Sequence, residues 1–196
     1  MFDYKQHVGE HNLYPAYRGI KMQQNAGVFD PLAQLIVELK PTVIVEIGTG
    51  RGGLTLFLND VRDASTKLVS YDNSDERVVD MTKARLDFRV RDVFDQATMR
   101  EIAEFISKGH PCLLLCDGGD KAREVNTFST LLKPGDVIMA HDYAHLKTQQ
   151  VTIRKDRSHR CEVWYEQIQQ TVEGLGMIPL HADEFAQVAW ACFRMP

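Results

Sequence analysis

Cysteine is scarce and unpatterned in this chain. Its 196 residues hold four, Cys112, Cys116, Cys161 and Cys192, with neither C-x-x-C spacing nor a paired framework, which argues against a disulfide scaffold. Cys112 and Cys116 lie in an apolar run, where cysteine behaves as a small buried hydrophobe, so the four read as structural thiols. No apolar run approaches the roughly 18 residues of a membrane span. The amino end, MFDYKQHVGEHNLYP, lacks the basic start and apolar stretch of a signal peptide, and the expected location is the cytoplasm. Excess positive charge is also missing: 23 basic residues against 27 acidic ones give a net charge of -4. There is no global attraction to a polyanion, so no nucleic-acid partner is expected and a small molecule is favoured. A G-x-S-x-G elbow after a strand is absent, which removes a Ser/His/Asp hydrolase of that kind. Internal repeats and low-complexity linkers are absent too, and homo-oligomer formation stays open.

What is present is an ordinary globular composition, 44% hydrophobic, 26% charged and 9% aromatic, in a chain of single-domain length. Residues 1–196 are read as one domain. Four runs read as buried parallel strands, Thr42 to Ile47, Lys67 to Asp72, Cys112 to Asp117 and Asp136 to Asp142, because each is short, aliphatic or β-branched, and ends in glycine or an acid. Helix-compatible stretches separate them, at about Gly53 to Asn59, Glu76 to Arg85, Gln96 to Ser107 and Ala122 to Leu132. This alternation predicts a doubly wound α/β sheet. A further helix starts at Pro31, with Asp30 expected as its N-cap, and Pro41 stops it. In the carboxyl third, Cys161 to Leu175 has helical periodicity, and Met177 to His181 with Gln187 to Phe193 predict a closing strand pair joined by an exposed loop, HADEFA. Between Ala144 and Arg160, Lys147, Arg154, Lys155, Arg157 and Arg160 face only Asp156, which reads as a mobile basic loop spanning 144–160.

The strongest local signal is Glu46-Ile-Gly48-Thr-Gly50-Arg-Gly52-Gly53, between a strand and a helix. Glycines there let the backbone turn sharply and approach a ligand, while helix N-terminal N–H groups point into the same space. Gly48, Gly50 and Gly53 satisfy G-x-G-x-x-G, and Asp72 ends the next strand nineteen residues after Gly53, where an acid can accept bonds from ribose hydroxyls. The pattern points to a nucleoside-containing cofactor, and taken alone it also fits NAD.

Asp117 and Asp142 each end an apolar strand on the side where doubly wound sheets bind ligands. On adjacent strands about 4.8 Å apart, their carboxylates can converge on one cation. Oxygen ligands suit Mg2+, Ca2+ or Mn2+, and His141 could be a third ligand if the strand end twists, since strand alternation points it to the opposite face. Lys121, Asp120, His141 and His145 are the candidates for removing a proton from a hydroxyl, histidine having the most suitable ordinary pKa.

At these residues the chain resembles class I S-adenosylmethionine-dependent methyltransferases, whose first motif is an acid, one residue, then Gly-x-Gly-x-Gly. The run Tyr17-Arg-Gly-Ile-Lys21, then Asp30 and the helix to Lys40, then Pro-Thr-Val-Ile-Val-Glu-Ile-Gly-Thr-Gly-Arg-Gly-Gly53, resembles the cephalosporin hydroxylase and rhamnosyl O-methyltransferase family. It is also similar to the Mg2+-dependent O-methyltransferases of the catechol and macrocin type, over roughly Tyr14 to Tyr143. The resemblance implies a Rossmann-like sheet of seven strands with the last antiparallel. It implies S-adenosylmethionine held by Glu46, Gly48, Thr49, Gly50, Gly52, Asp72, Asn73, Asp92 and Asp117, with Asp92 near the adenine after a strand over Leu86 to Val90. It implies a divalent cation, Mg2+ or Mn2+, at Asp117, His141 and Asp142, where His141 stands at a position that these families fill with an acid. His141, His145 and Lys121 are then the candidate catalytic groups, with residues 1–40 covering a small-molecule hydroxyl substrate. A nicotinamide oxidoreductase and a non-catalytic S-adenosylmethionine-binding protein remain the alternatives.

Overall fold

The computed structural model describes residues 2–11, 14–76, 86–147, 150–154 and 157–196, so the helix expected from Glu76 to Arg85 lies outside the described residues after its first position. A small antiparallel sheet comes first: β1 (Val8–His11), β2 (Tyr14–Tyr17) and β3 (Ile20–Lys21). Its anchor is Tyr17, fully buried, whose ring packs on Phe29 and Phe57 while its hydroxyl donates to Asp60 at 2.8 Å. Helix α1 (Phe29–Leu39) buries Leu32, Ala33, Leu35 and Ile36 on one stripe. It begins earlier than expected, and its N-cap is Val28, with no side-chain cap bond. Asp30 lies inside the first turn and accepts the Tyr4 hydroxyl at 2.6 Å, and Pro31 sits in that turn, where a missing N–H costs no intrahelical bond. Lys40, in the left-handed region at φ 48, closes the helix before Pro41.

From there strands and helices alternate: β4 (Val43–Ile47), α2 (Gly53–Val61), β5 (Lys67–Asp72), β6 (Asp87–Val90), α3 (Gln96–Lys108), β7 (Cys112–Cys116), α4 (Lys121–Phe128) and β8 (Val137–His141). All five strands run parallel, and β4, β7 and β8 are buried at every residue, as continuous aliphatic runs require. After them come β9 (Tyr143–Ala144), β10 (Gln150–Arg154), β11 (Arg157–Arg160), β12 (Val163–Trp164), α5 (Tyr165–Gly174), β13 (Ile178–Pro179), α6 (Ala182–Ala186) and β14 (Trp190–Arg194). The central sheet has the order β13-β14-β8-β7-β4-β5-β6, with β14 antiparallel to β8 and to β13. It is the seven-stranded mixed sheet expected from the resemblance.

Three further expectations need correction. Within the stretch read as a basic loop, β10 and β11 pair as an antiparallel hairpin. The helix read from Cys161 starts at Tyr165, because Val163 and Trp164 first pair in parallel with β9. The loop HADEFA contains α6, and Phe185 within it is fully buried against the sheet face that holds Trp190 and Cys192, so a short polar segment is folded in by one aromatic anchor.

Side chains alternate across the strands and feed two cores. Ile44, Leu113, Leu115, Met139 and Trp190 meet α1, α2 and Tyr17 on one face; Val45, Leu114, Ile138 and Phe193 meet α3, α4 and α5 on the other. All four cysteines are free and buried. Among the described residues no helix is long and apolar enough to cross a membrane. The sheet reverses its winding between β4, which continues to β5 and β6, and β7, which continues to β8. At such a switch point the carboxyl ends of the two strands leave a crevice.

Candidate active site

A cleft of about 730 Å³ opens at that switch point, with one wall built from the glycine loop and the next two strand ends. Gly48 lets the loop pass against the β7 turn: at φ 93 a side chain there would collide with the Asp117 carbonyl. Gly50, at φ 50, faces open space, so the loop forms a cradle that any Cβ would begin to fill. Its N–H donates to Asp72 Oδ2 at 2.8 Å, and Ser74 N–H donates to Asp72 Oδ1 at 3.0 Å. Ser74 Oγ also donates to Oδ1, at 3.4 Å, so of the carboxylate's roughly four lone-pair sites the open one is on Oδ2. Thr49, Asn73, Asp92, Val93 and Phe94 continue this wall, and Arg123 lies 3.7 Å over the Phe94 ring.

Glu46 and Gly52 do not line the cleft. Glu46 is fully buried beneath the loop, where Thr55 Oγ1 donates to it at 2.6 Å and Ser70 donates alongside, and Thr49 is bonded to Ser70 in turn. Burial raises its carboxyl to about 7 against the two hydroxyl donors. It supports the loop from below. Gly52 is the left-handed residue from which α2 starts.

The other wall carries the second group of acids. Asp117 leaves β7, and its loop is held by buried Glu124, which accepts Gly118 N–H at 3.2 Å. His141 ends β8, and strand alternation would send the next side chain to the opposite face. Asp142 escapes this because it sits at φ 53, which breaks the strand geometry. Asp117 Oδ1 is 2.8 Å from His141 Nδ1, Asp142 Oδ2 is 3.5 Å from the same nitrogen, and one ligand atom from each residue lies within 4.8 Å of the others. His141 Nε2 is buried without a hydrogen-bond partner among the described residues. Burial disfavours the imidazolium, but Asp117 and Asp142 outweigh it and move the His141 pKa upward.

Lys121 begins α4 and is almost fully buried. Its Nζ lies 2.7 Å from Glu162, 3.4 Å from Asp142 and 3.9 Å from Asp117. Burial opposes its charge, yet these carboxylates raise its pKa, so it is an ammonium here and not a ready base. Asp120 lines the cleft and caps α4 by accepting Arg123 N–H at 3.1 Å. His145 does not join the site: it is exposed, stacks on Tyr165 at 5.0 Å and lies outside the cleft lining.

Tyr14 and Lys21, from the segment expected to cover the substrate, line the cleft wall, and so do Gln24 and Glu162, which no motif singled out. Neither Gln24 nor Glu162 carries a local signal. Gln24 Nε2 donates to Asp117 Oδ2 at 2.6 Å across 93 positions, and Lys21 lies 3.7 Å over the Tyr14 ring at the rim.

The order of strands can be set beside known structures. The Mg-SAM form of CmcI superposes with a TM-score of 0.66 at 18% identity, over 92% of this chain and 76% of that one. The fold is that of the class I methyltransferases. SAH-bound PaMTH1 from Podospora anserina aligns at TM-score 0.56 and 14% identity over 86% and 77% of the two chains. An O-methyltransferase from Bacillus cereus in complex with SAH aligns at 0.52 and 13% identity over 85% and 80%. No protein-family model and no curated protein matches the sequence.

Proposed function

We propose that the chain is an S-adenosylmethionine-dependent O-methyltransferase that acts on a hydroxyl of a small molecule with help from a divalent cation. The observation that carries this reading is Asp72, held by Gly50 and Ser74 at the edge of the open glycine cradle, with acceptor capacity left on Oδ2 for a ribose hydroxyl. The CmcI form named for Mg and SAM supports the same cofactor and ion. In this arrangement Gly48, Thr49, Gly50, Asp72, Asn73 and Asp92 hold the cofactor, and Asp117 stands at the junction of the two halves. The fixed halves bring the methyl group and a hydroxyl into one preorganised pair, a large part of what such a transfer needs.

The side chains present fit a cation: two carboxylates and an imidazole converge, and a hard oxygen-rich set with one nitrogen suits Mg2+ or Mn2+. Asp117, His141 and Asp142 would hold it, and a bound cation lowers the pKa of an acceptor hydroxyl and fixes its oxygen. Lys121 balances the local carboxylates and ties Asp142 to Glu162. The four free, buried thiols support a cytoplasmic setting.

A methyl-acceptor screen with labelled S-adenosylmethionine over phenol, sugar and antibiotic hydroxyls tests the reaction class. With an acceptor in hand, chelation is expected to abolish turnover and spare cofactor binding, and Asp142→Asn should reproduce the loss. Full turnover in chelator would reject the cation and assign His141 to the hydroxyl proton.

A further inference from the structure

Gln24 sits just after β3, almost fully buried, and its side-chain amide joins two residues that are far apart in the chain. Trp190 Nε1 donates to Gln24 Oε1 at 2.9 Å, and Gln24 Nε2 donates to Asp117 Oδ2 at 2.6 Å. An indole N–H can only donate. Oε1 must therefore face Trp190, and the amide's N–H groups must face Asp117, so no flipped amide satisfies both partners. The indole is itself held, fully buried in the core with its ring centroid 4.9 Å from that of His141.

The consequence falls on Asp117. The carboxylate torsion of aspartate is broad when free. With Oδ2 taken by Gln24, Oδ1 is the oxygen presented to His141 Nδ1, 2.8 Å away, and to Lys121 Nζ at 3.9 Å. Carboxylates that bind metals are commonly supported in this way, and loss of the outer donor typically costs about 10- to 100-fold in metal affinity.

We infer that Gln24, oriented by Trp190, is the positioning residue of the cation site, holding one oxygen of Asp117 so that the other is offered as ligand. The inference rests on the proposed cation at Asp117, His141 and Asp142. It also gives the amino-terminal segment a chemical role, because β3 delivers Met22 against Gly53 at the start of α2 and, two residues on, Gln24 against Asp117.

Mn2+ titration followed by electron paramagnetic resonance tests this, with SAH affinity measured by calorimetry on the same samples. Gln24→Met keeps the volume and removes both bonds; it should raise the Mn2+ Kd about tenfold or more and leave the SAH Kd within twofold. Trp190→Phe removes the indole N–H together with part of the buried ring that packs on His141, and should shift Mn2+ affinity the same way by a smaller factor. Asp117→Asn, which alters a ligand, marks the largest loss. Mn2+ affinity within twofold of wild type in both Gln24→Met and Trp190→Phe overturns the assignment while leaving the cation site standing. Joint loss of SAH and Mn2+ binding in Gln24→Met overturns the separation of the two halves on which it depends. A wild-type protein that takes up no Mn2+ overturns the cation reading itself, and this inference with it.

Discussion

Glu46 is the acid whose role changes most between sequence and structure. Its motif position groups it with the cofactor contacts, whereas its side chain lies under the loop and its carboxyl is raised from 4.5 to about 7, chiefly by burial. The native state then keeps a proton that the unfolded chain releases, so stability falls as pH rises from about 4.5 through 7. The size of this loss is on the order of 3 kcal/mol. Glu46→Gln should remove that component: urea unfolding at pH 4.5 and pH 8 is expected to show a smaller pH difference in the variant by about that amount. An unchanged pH dependence would place the raised carboxyl elsewhere. Asp72, Asp117 and Asp142 were legible because an acid that ends an apolar run announces a strand terminus. Gln24 was not, because its partners are 93 and 166 positions away and nothing local marks them. Lys121 was legible as a residue of the cleft but not as an ammonium, since Glu162 reaches it from 41 positions away.

Among the elements, β4, β5, β7 and β8 could be read almost residue by residue, because strands covered on both faces need unbroken aliphatic runs. The amino-terminal sheet and α6 could not. Each owes its place to a single aromatic residue, Tyr17 or Phe185, seated in a core built by distant segments, and composition alone does not reveal a tertiary anchor. Tyr17 shows the consequence. It is fully buried and donates to Asp60, whose carboxylate also takes Arg18 at 2.7 Å. Truncating the first 20 residues would therefore strip core as well as cover, and a gentler change is the better probe. Tyr17→Phe preserves the ring contacts and removes a hydrogen bond to a charged group, so it should cost about 1.5–3 kcal/mol in urea unfolding. No loss would show that the sheet is held by packing alone.

For the molecule as a whole, the winding reversal between β4 and β7 sets the glycine cradle and Asp72 on one side of a single cleft, and Asp117, His141, Asp142 and Lys121 on the other. The strand and helix alternation predicted a doubly wound sheet, the resemblance implied its seven-stranded form, and the solved methyltransferases share that fold at under one residue in five identical. The central claim is that the first half binds the nucleoside of S-adenosylmethionine through Asp72. Calorimetric titration of SAH into wild type and Asp72→Ala tests it most directly. Saturable binding is expected in the wild type, and the variant should fold normally and bind more weakly by about 1.5–3 kcal/mol, or about 10- to 150-fold. No binding to the wild type, or equal affinity in the two proteins, would contradict the claim.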